Sequence, residues 1–267
     1  MNKQEYASEY SIQELMAVTL ARQFKDEWWG ACGAFSQIPM TGFMLAKLTH
    51  APNMWWLSGG GGAINSEMAL RDSSSDYKSI SSGADAAISL LDIVSWEFGG
   101  WKKKNAFAVV GGMQVDKYGN TNMVCIGDYE NMKVRGPGTV GLIFSTTFHE
   151  IFYCINHHNA NLFVDKVDFI SSLGRGERRR EKGIKGMKGP QMVVTSRAVF
   201  DFDEKTSLMK LKSVHRDQSV EEVVALMGFT PIIPDEVPET TPPTVEEVEL
   251  IRNVIDPNGV LNTVKLS

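Results

Sequence analysis

The chain has 267 residues, 43% hydrophobic and 22% charged, which predicts a soluble globular protein with a sizeable core. Its formal net charge is −5 and its pI is near 5.6, which gives no support to a nucleic-acid or membrane-surface role. Three cysteines, Cys32, Cys125 and Cys154, without Cys-x-x-Cys spacing, point to a reducing compartment and away from a zinc site.

The first fifteen residues are polar and do not read as a signal peptide. No apolar run approaches the roughly 18 residues needed to span a bilayer, so a cytoplasmic location is expected. Residues 11–25 read as a first helix, with Ser11 and Glu14 in capping-box spacing. Residues 28–32 read as a short strand and 39–48 as a second helix with Pro39 in its first turn. A buried strand over Met54–Leu57 then runs into four consecutive glycines, Gly59 to Gly62. Glycine lets backbone approach a ligand closely, and open α/β sheets bind ligands at the C-terminal ends of their strands.

Residues 84–98 read as a third helix, opened by Ser82-Gly83. Residues 106–110 (AFAVV) form a continuous apolar strand ending in Gly111-Gly112. Further strands are expected at 139–144, 161–164 and 167–170. The glycine-rich, very basic stretch 173–190 reads as a long surface loop, most simply a solvated charge run. A strand meander follows over 191–212, then helices at 219–227, with a Ser219/Glu222 capping box, and 244–254. The β–α–β order predicts an α/β fold: an open, mostly parallel sheet with crossover helices. It is expected as one domain over residues 1–267, with an α/β core to about residue 172 and the meander and last helices over 173–267. The chain holds no GxGxxG after a first strand, no GxxxxGK[ST] and no GxSxG. Dinucleotide binding, P-loop and nucleophile-elbow chemistry therefore lack support.

The segment VVGGMQVDKYGNTN (109–122) followed by IGDY (126–129) resembles the β-type subunit of the class I CoA-transferases, in the pattern of glutaconate CoA-transferase. Supporting segments are AVTLARQ (17–23), LAKLTHAPN (45–53), VDFISSLG (167–174), GPQMVVT (189–195) and LIRNVIDP (250–257), so the similarity covers nearly the whole chain. The resemblance implies the CoA-transferase, NagB/RpiA-like fold. It also implies pairing with an α-type subunit of the same family, as an α2β2 heterotetramer with the site between subunits. No bound cofactor is expected, coenzyme A entering as part of the acyl-CoA substrate.

In that family a glutamate in an ESG- or ENG-type motif, at the end of the strand after the second helix, attacks the acyl-CoA and becomes a glutamyl–CoA thioester. Here the matching segment is LSGGGG, and the glutamate position falls on about Gly59. Ser58 precedes it, and the nearest downstream carboxylate is Glu67. Some relatives lacking the glutamate open a steroid-derived ring carried as a CoA thioester, and others decarboxylate glutaconyl-type CoA esters. The chain shares with the ring-opening group a Val-Arg-Gly followed by Pro-Gly, residues 134–138, whose arginine is expected near the acyl end of the substrate.

Arg135 is thus the main catalytic candidate, to hold a carboxylate or polarise a carbonyl; an interface ion pair is its simpler role. Glu67 is a candidate base, though a solvated glutamate is the favoured explanation. Ser58, Gly59, Gly60, Gly61, Gly111, Gly112, Gln114, Asn120, Gly136 and Gly138 are expected to line the substrate or CoA site. Gln114 and Asn120 could instead hold a turn, to which Tyr118-Gly119-Asn120 is suited. His149, His157 and His158 lack a carboxylate partner pattern and read as core or surface residues. The tryptophans read mostly as core, with Trp55 and Trp56 able to wall an apolar acyl group. The leading reaction is hydrolytic C–C cleavage of a cyclic or β-keto acyl-CoA. Its rivals are CoA transfer, decarboxylation and a non-catalytic partner role.

Overall fold

The computed structural model describes residues 5–57, 62–73, 78, 83–99, 105–184 and 189–267. The chain gathers into two compact units. The first holds residues up to Gly99, Asn105–Val109 and Thr241–Leu266; the second holds Val110–Thr240 and Ser267.

In the first unit, helix α1 (Ile12–Ala21) begins at Ser11, whose hydroxyl accepts from Glu14 N at 3.1 Å while Glu14 Oε2 accepts from Ser11 N at 2.7 Å. Glu14 is buried and also binds Arg252 Nε at 2.7 Å, which ties the C-terminal helical segment to α1. Strand β1 (Trp29–Cys32) is followed by helix α2 (Gln37–Leu48) and strand β2 (Trp55–Leu57). β1 runs parallel to β2, with Trp29 opposite Trp55, and parallel to β5 (Ala106–Val110) on its other side. The short strands β3 (Ala63–Ile64) and β4 (Ala86–Ala87) extend this sheet antiparallel beyond β2. Trp29, Trp56, Phe43 and Phe107 are fully buried, and Phe24 stacks on Phe107 with centroids 4.6 Å apart. Trp56 is therefore core, as expected, and half-buried Trp55 stacks on Trp29. Burial pushes the Cys32 thiol up to about 12, which leaves it a protonated, inert sulfur at neutral pH.

The second unit opens with β6 (Gln114–Asp116), β7 (Thr121–Asn122), β8 (Cys125–Asp128) and β9 (Asn131–Arg135). β10 (Glu150–Cys154) pairs parallel with β12 (Gly189–Val194), and β12, β13 (Ala198–Phe202) and β14 (Met209–Val214) form an antiparallel meander. β11 (Phe163–Val164) joins β6 in parallel. The core between these layers is built from Val115, Tyr153, Leu162, Phe163, Phe200 and Leu211, closed by Val223 of helix Val220–Ala225. The mixed, mostly parallel sheet with crossover helices agrees with the expectation, as do both predicted capping boxes.

Four expected elements differ. Residues 139–144 were expected as a strand, but the chain makes a turn and then a helix, Leu142–Ser145. Leu142 and Ser145 are buried and Ile143 is half exposed, a helical spacing that a short apolar run cannot reveal. The helix expected at 84–98 is split, with β4 first and the helix starting at Leu90. Ser89 sets the start: its hydroxyl accepts from Asp92 N at 3.1 Å and Asp92 Oδ2 accepts from Ser89 N at 3.2 Å. Residues 167–170 form no strand; the Asp168 N–H is taken by the Gln114 side chain instead of a neighbouring strand. The basic stretch is not all loop: residues Glu177–Glu181 are helical, with Arg179 buried. Among the described residues, no helix is long and apolar enough to cross a membrane.

Candidate functional site

The segment with the most specific spacing folds as a tight turn in the second unit. Asp116 ends β6, and its Oδ1 accepts from Tyr118 N at 3.0 Å, Asn120 N at 3.0 Å and Asn120 Nδ2 at 3.1 Å. This is an aspartate-nucleated turn, which places Asn120 and sends the chain back as β7. The turn rests on the meander and on β10: Met209 N donates to Lys117 O at 2.8 Å and Tyr153 Oη donates to Gly119 O at 2.6 Å. Burial raises the Asp116 carboxyl above its ordinary value, against the hydrogen bonds from Asn120 and Tyr118 that lower it.

The 167–174 segment, distant in sequence, is laced to this turn. Gly174 N donates to Asn120 Oδ1 at 2.9 Å, Arg175 N to Tyr118 O at 2.8 Å, and Ser171 N to Thr121 O at 2.8 Å. A side chain at Gly174 would collide with Tyr118 O and with Asn120 N, so only glycine permits this approach. Gln114 is buried and binds the same segment: its Nε2 donates to Asp168 Oδ2 at 3.0 Å, and its Oε1 accepts from Asp168 N at 3.1 Å and Asn122 Nδ2 at 2.7 Å. Gln114 and Asn120 thus turn their polar atoms inward, toward the scaffold. Asp116, Asn122 and Asp168 were not singled out in the sequence, although the Asp-x-Tyr-Gly-Asn spacing of an aspartate turn was there to be read.

The Arg135 segment joins the same place. β8 and β9 form a hairpin with Cys125 opposite Arg135. Beyond it, Gly136 N donates to Val124 O at 2.7 Å and Gly138 N to Met123 O at 3.1 Å. Gly136 lies so close to Met113 Sδ and Met123 O that a Cβ there would overlap both. The structure therefore brings Gly112, Gln114, Gly136 and Gly138 together around Met113 and Met123. Gly111, the exposed residue after β5, leads into this cluster.

Arg135 itself is exposed, and its guanidinium has Met132 Sδ at 3.9 Å. Among the described residues, no carboxylate lies within ion-pair distance of it. That fits a group held ready for an anionic or developing negative charge. Glu67 belongs to the first unit and is ion-paired with Arg71, its side chain 34% exposed. Ser58, Gly59, Gly60 and Gly61 lie outside the described residues; of the glycine run, only Gly62 is described, at φ 74°. Of the three histidines, His158 is core, bound to Thr195 Oγ1 at 3.0 Å and Val223 O at 3.0 Å, and His157 is half-buried. Among the described residues, no group of His, Cys, Asp and Glu side chains could hold a metal ion.

The sequence matches a family model described as Coenzyme A transferase over residues 13–226. It is 31% identical over 253 residues to one of the subunits of the glutaconate CoA-transferase of Acidaminococcus fermentans, covering 93% of each chain. The solved glutaconate coenzyme A-transferase of that organism superposes with a TM-score of 0.85, covering 97% of this chain and 100% of that one. The chain is 26% identical over 254 residues to the cholesterol ring-cleaving hydrolase IpdB subunit of Mycobacterium tuberculosis, covering 92% and 95%. The decarboxylase AibA/AibB, 21% identical with a TM-score of 0.82 over 97% of this chain, shares the fold. With the family model spanning most of its length, the chain belongs to the coenzyme A transferase family.

Proposed function

We infer that the chain is the β-type subunit of a heteromeric enzyme acting on acyl-CoA thioesters, and that its reaction is hydrolytic C–C cleavage of a cyclic or β-keto acyl-CoA. One observation carries this reading. Where the resemblance to the family calls for a nucleophilic glutamate, the sequence reads Leu-Ser-Gly-Gly-Gly-Gly, residues 57–62. Glycine cannot form an acyl or CoA adduct. The nearest downstream carboxylate, Glu67, is held in an ion pair with Arg71.

The chemistry then needs water instead. Water oxygen bonds to the β-carbonyl carbon, the Cα–Cβ bond breaks, and its electron pair moves into the thioester as an enolate. A proton returns to Cα, giving a carboxylic acid and an opened acyl-CoA. Arg135 suits the negative charge that develops on the attacked carbonyl, since a guanidinium offers two parallel donors. Tyr129, Val134, Val140 and Ile143 are 51%, 49%, 54% and 50% exposed, large apolar groups that a partner chain of the same fold would cover. The relatives named above carry subunit designations, which supports such an α-type partner, and the assembly we propose is an α2β2 heterotetramer.

The test is turnover of cyclic β-keto acyl-CoAs by the co-purified pair in ¹⁸O-labelled water. The label should enter the new carboxylate, with the mass of this chain unchanged. A stable CoA or acyl adduct on residues 58–67 would instead support CoA transfer. That second reading has its own footing in the 31% identity to a transferase chain.

A further inference from the structure

We propose that a basic cavity in the second unit receives the phosphate-bearing nucleotide end of the acyl-CoA. The proposal rests on the acyl-CoA reading above and locates the part of that substrate farthest from the chemistry. The cavity has a volume of about 560 Å³, within the usual range for small-molecule sites. Its floor is the Asp116–Asn120 turn, and its walls come from residues 165–170, 175–180 and 205–207.

The chain as a whole is acidic, yet this wall is basic. Lys117 is held by Asp165 at 2.7 Å and Arg175 by Glu204 at 2.8 Å, so those two charges are answered. Lys166, Arg178, Arg180 and Lys205 are exposed, and no carboxylate lies within ion-pair distance of them among the described residues. Asp116, the acid in the floor, has its oxygens taken by Tyr118 and Asn120 donors. Exposed Glu177 is the remaining acid of the wall, and with six basic and three acidic side chains lining it the cavity is net positive, which suits two or more phosphates.

The arginine run is built for this. Arg179, the middle residue, is buried and donates to Leu173 O at 3.0 Å and Thr146 O at 2.5 Å. It fixes the short helix to the scaffold, and its neighbours Arg178 and Arg180 both line the cavity. Tyr118, 38% exposed, presents an aromatic ring at the same wall for a base to stack on. The turn that closes the floor is the same element whose other end carries Gly112 and Gln114. One rigid element can thus hold the nucleotide and border the acyl site.

The experiment uses the co-purified enzyme and the double variant Arg178→Glu/Arg180→Glu. Adenosine 3′,5′-bisphosphate, inorganic pyrophosphate, an acyl-CoA and the matching acyl-pantetheine are the probes. Adenosine 3′,5′-bisphosphate should bind the wild type and lose at least about tenfold in affinity in the variant. The KM for acyl-CoA should rise by a similar factor, and the wild-type preference for acyl-CoA over acyl-pantetheine should collapse. Equal nucleotide affinity in both proteins would overturn the proposal. Weakened binding with an unaltered substrate preference would also overturn it, marking a site for a free nucleotide. Pyrophosphate binding as tight as the nucleotide, with that preference unaltered, would mark an inorganic-anion site and overturn it as well. Lys166→Glu, on a separate segment, repeats the test should the double change disturb the helix. If no acyl-CoA is turned over, the functional reading falls, and the nucleotide titration still decides the cavity.

Discussion

The Asp116–Asn120 turn and the Arg135 end of the β8–β9 hairpin meet in one unit but treat their polar groups in opposite ways. In the turn, Asp116, Asn120 and Gln114 are bound to backbone and to one another or to nearby side chains. At the hairpin end, Arg135 stands exposed with a methionine sulfur near its guanidinium. A buried polar group must be satisfied internally, so the turn is scaffold. A charge left without a partner is available to a ligand, so the hairpin end is where chemistry is expected. The most specific motif in the sequence thus builds the platform, and the residue proposed to meet the substrate is a less conspicuous one.

The largest effect should come from acid, acting on the platform alone. Packed against the meander, His158, between β10 and β11, and His215, just after β14, share Thr195 and are held down at about 4 by burial. Each is neutral in the fold and gains its proton on unfolding, where the ordinary value is 6.5. Their contribution is full above pH 6.5 and is lost as pH falls toward 4. It amounts to roughly 3 kcal/mol per histidine at most. Denaturant midpoints measured across that window should fall steeply, and His158→Gln should flatten the profile. The turnover ratio of wild type to Arg135→Ala should stay level across that window while stability drops.

Gly174→Ala attacks the platform directly. Its new methyl group meets Tyr118 O and Asn120 N, backbone atoms that cannot move aside. A loss of about 3 kcal/mol in stability is expected, read by chemical denaturation. A variant as stable as wild type would show that the 167–174 segment is not locked to the turn.

Arg135→Ala should show the reverse pattern. Turnover of the substrate should fall by about 2–3 kcal/mol of transition-state binding, on the order of 100-fold, with stability unchanged. Arg135→Lys should recover only part, since an ammonium cannot make the two-pronged contact. Near-normal turnover in the alanine variant would place Arg135 outside the site and favour transfer or decarboxylation.

The smallest effect is expected at Glu67. It is a partly exposed ion-pair partner of Arg71, and such pairs contribute under about 1 kcal/mol. Glu67→Gln should leave kcat within about threefold of wild type. A large loss of kcat without loss of stability would make Glu67 a base after all.

The sequence by itself determined the elements whose signals are local or strongly periodic. Residues 106–110 are apolar throughout and could only be an interior strand. Ser11 with Glu14 and Ser219 with Glu222 fix helix starts through bonds three residues apart. The missing glutamate before the glycine run was also legible, because chemistry needs a particular side chain at a particular place. Tertiary structure decided the rest. Only folding shows that Gln114 is satisfied by Asp168, 54 residues away, or that Gly174 closes on Asn120. It turned residues 142–145 into a helix, since burial of Leu142 and Ser145 comes from neighbours the run itself does not name. It likewise split three adjacent arginines into one buried pin and two cavity-lining charges. Charge and size are properties of a residue, but whether a polar atom is answered depends on what the fold places beside it.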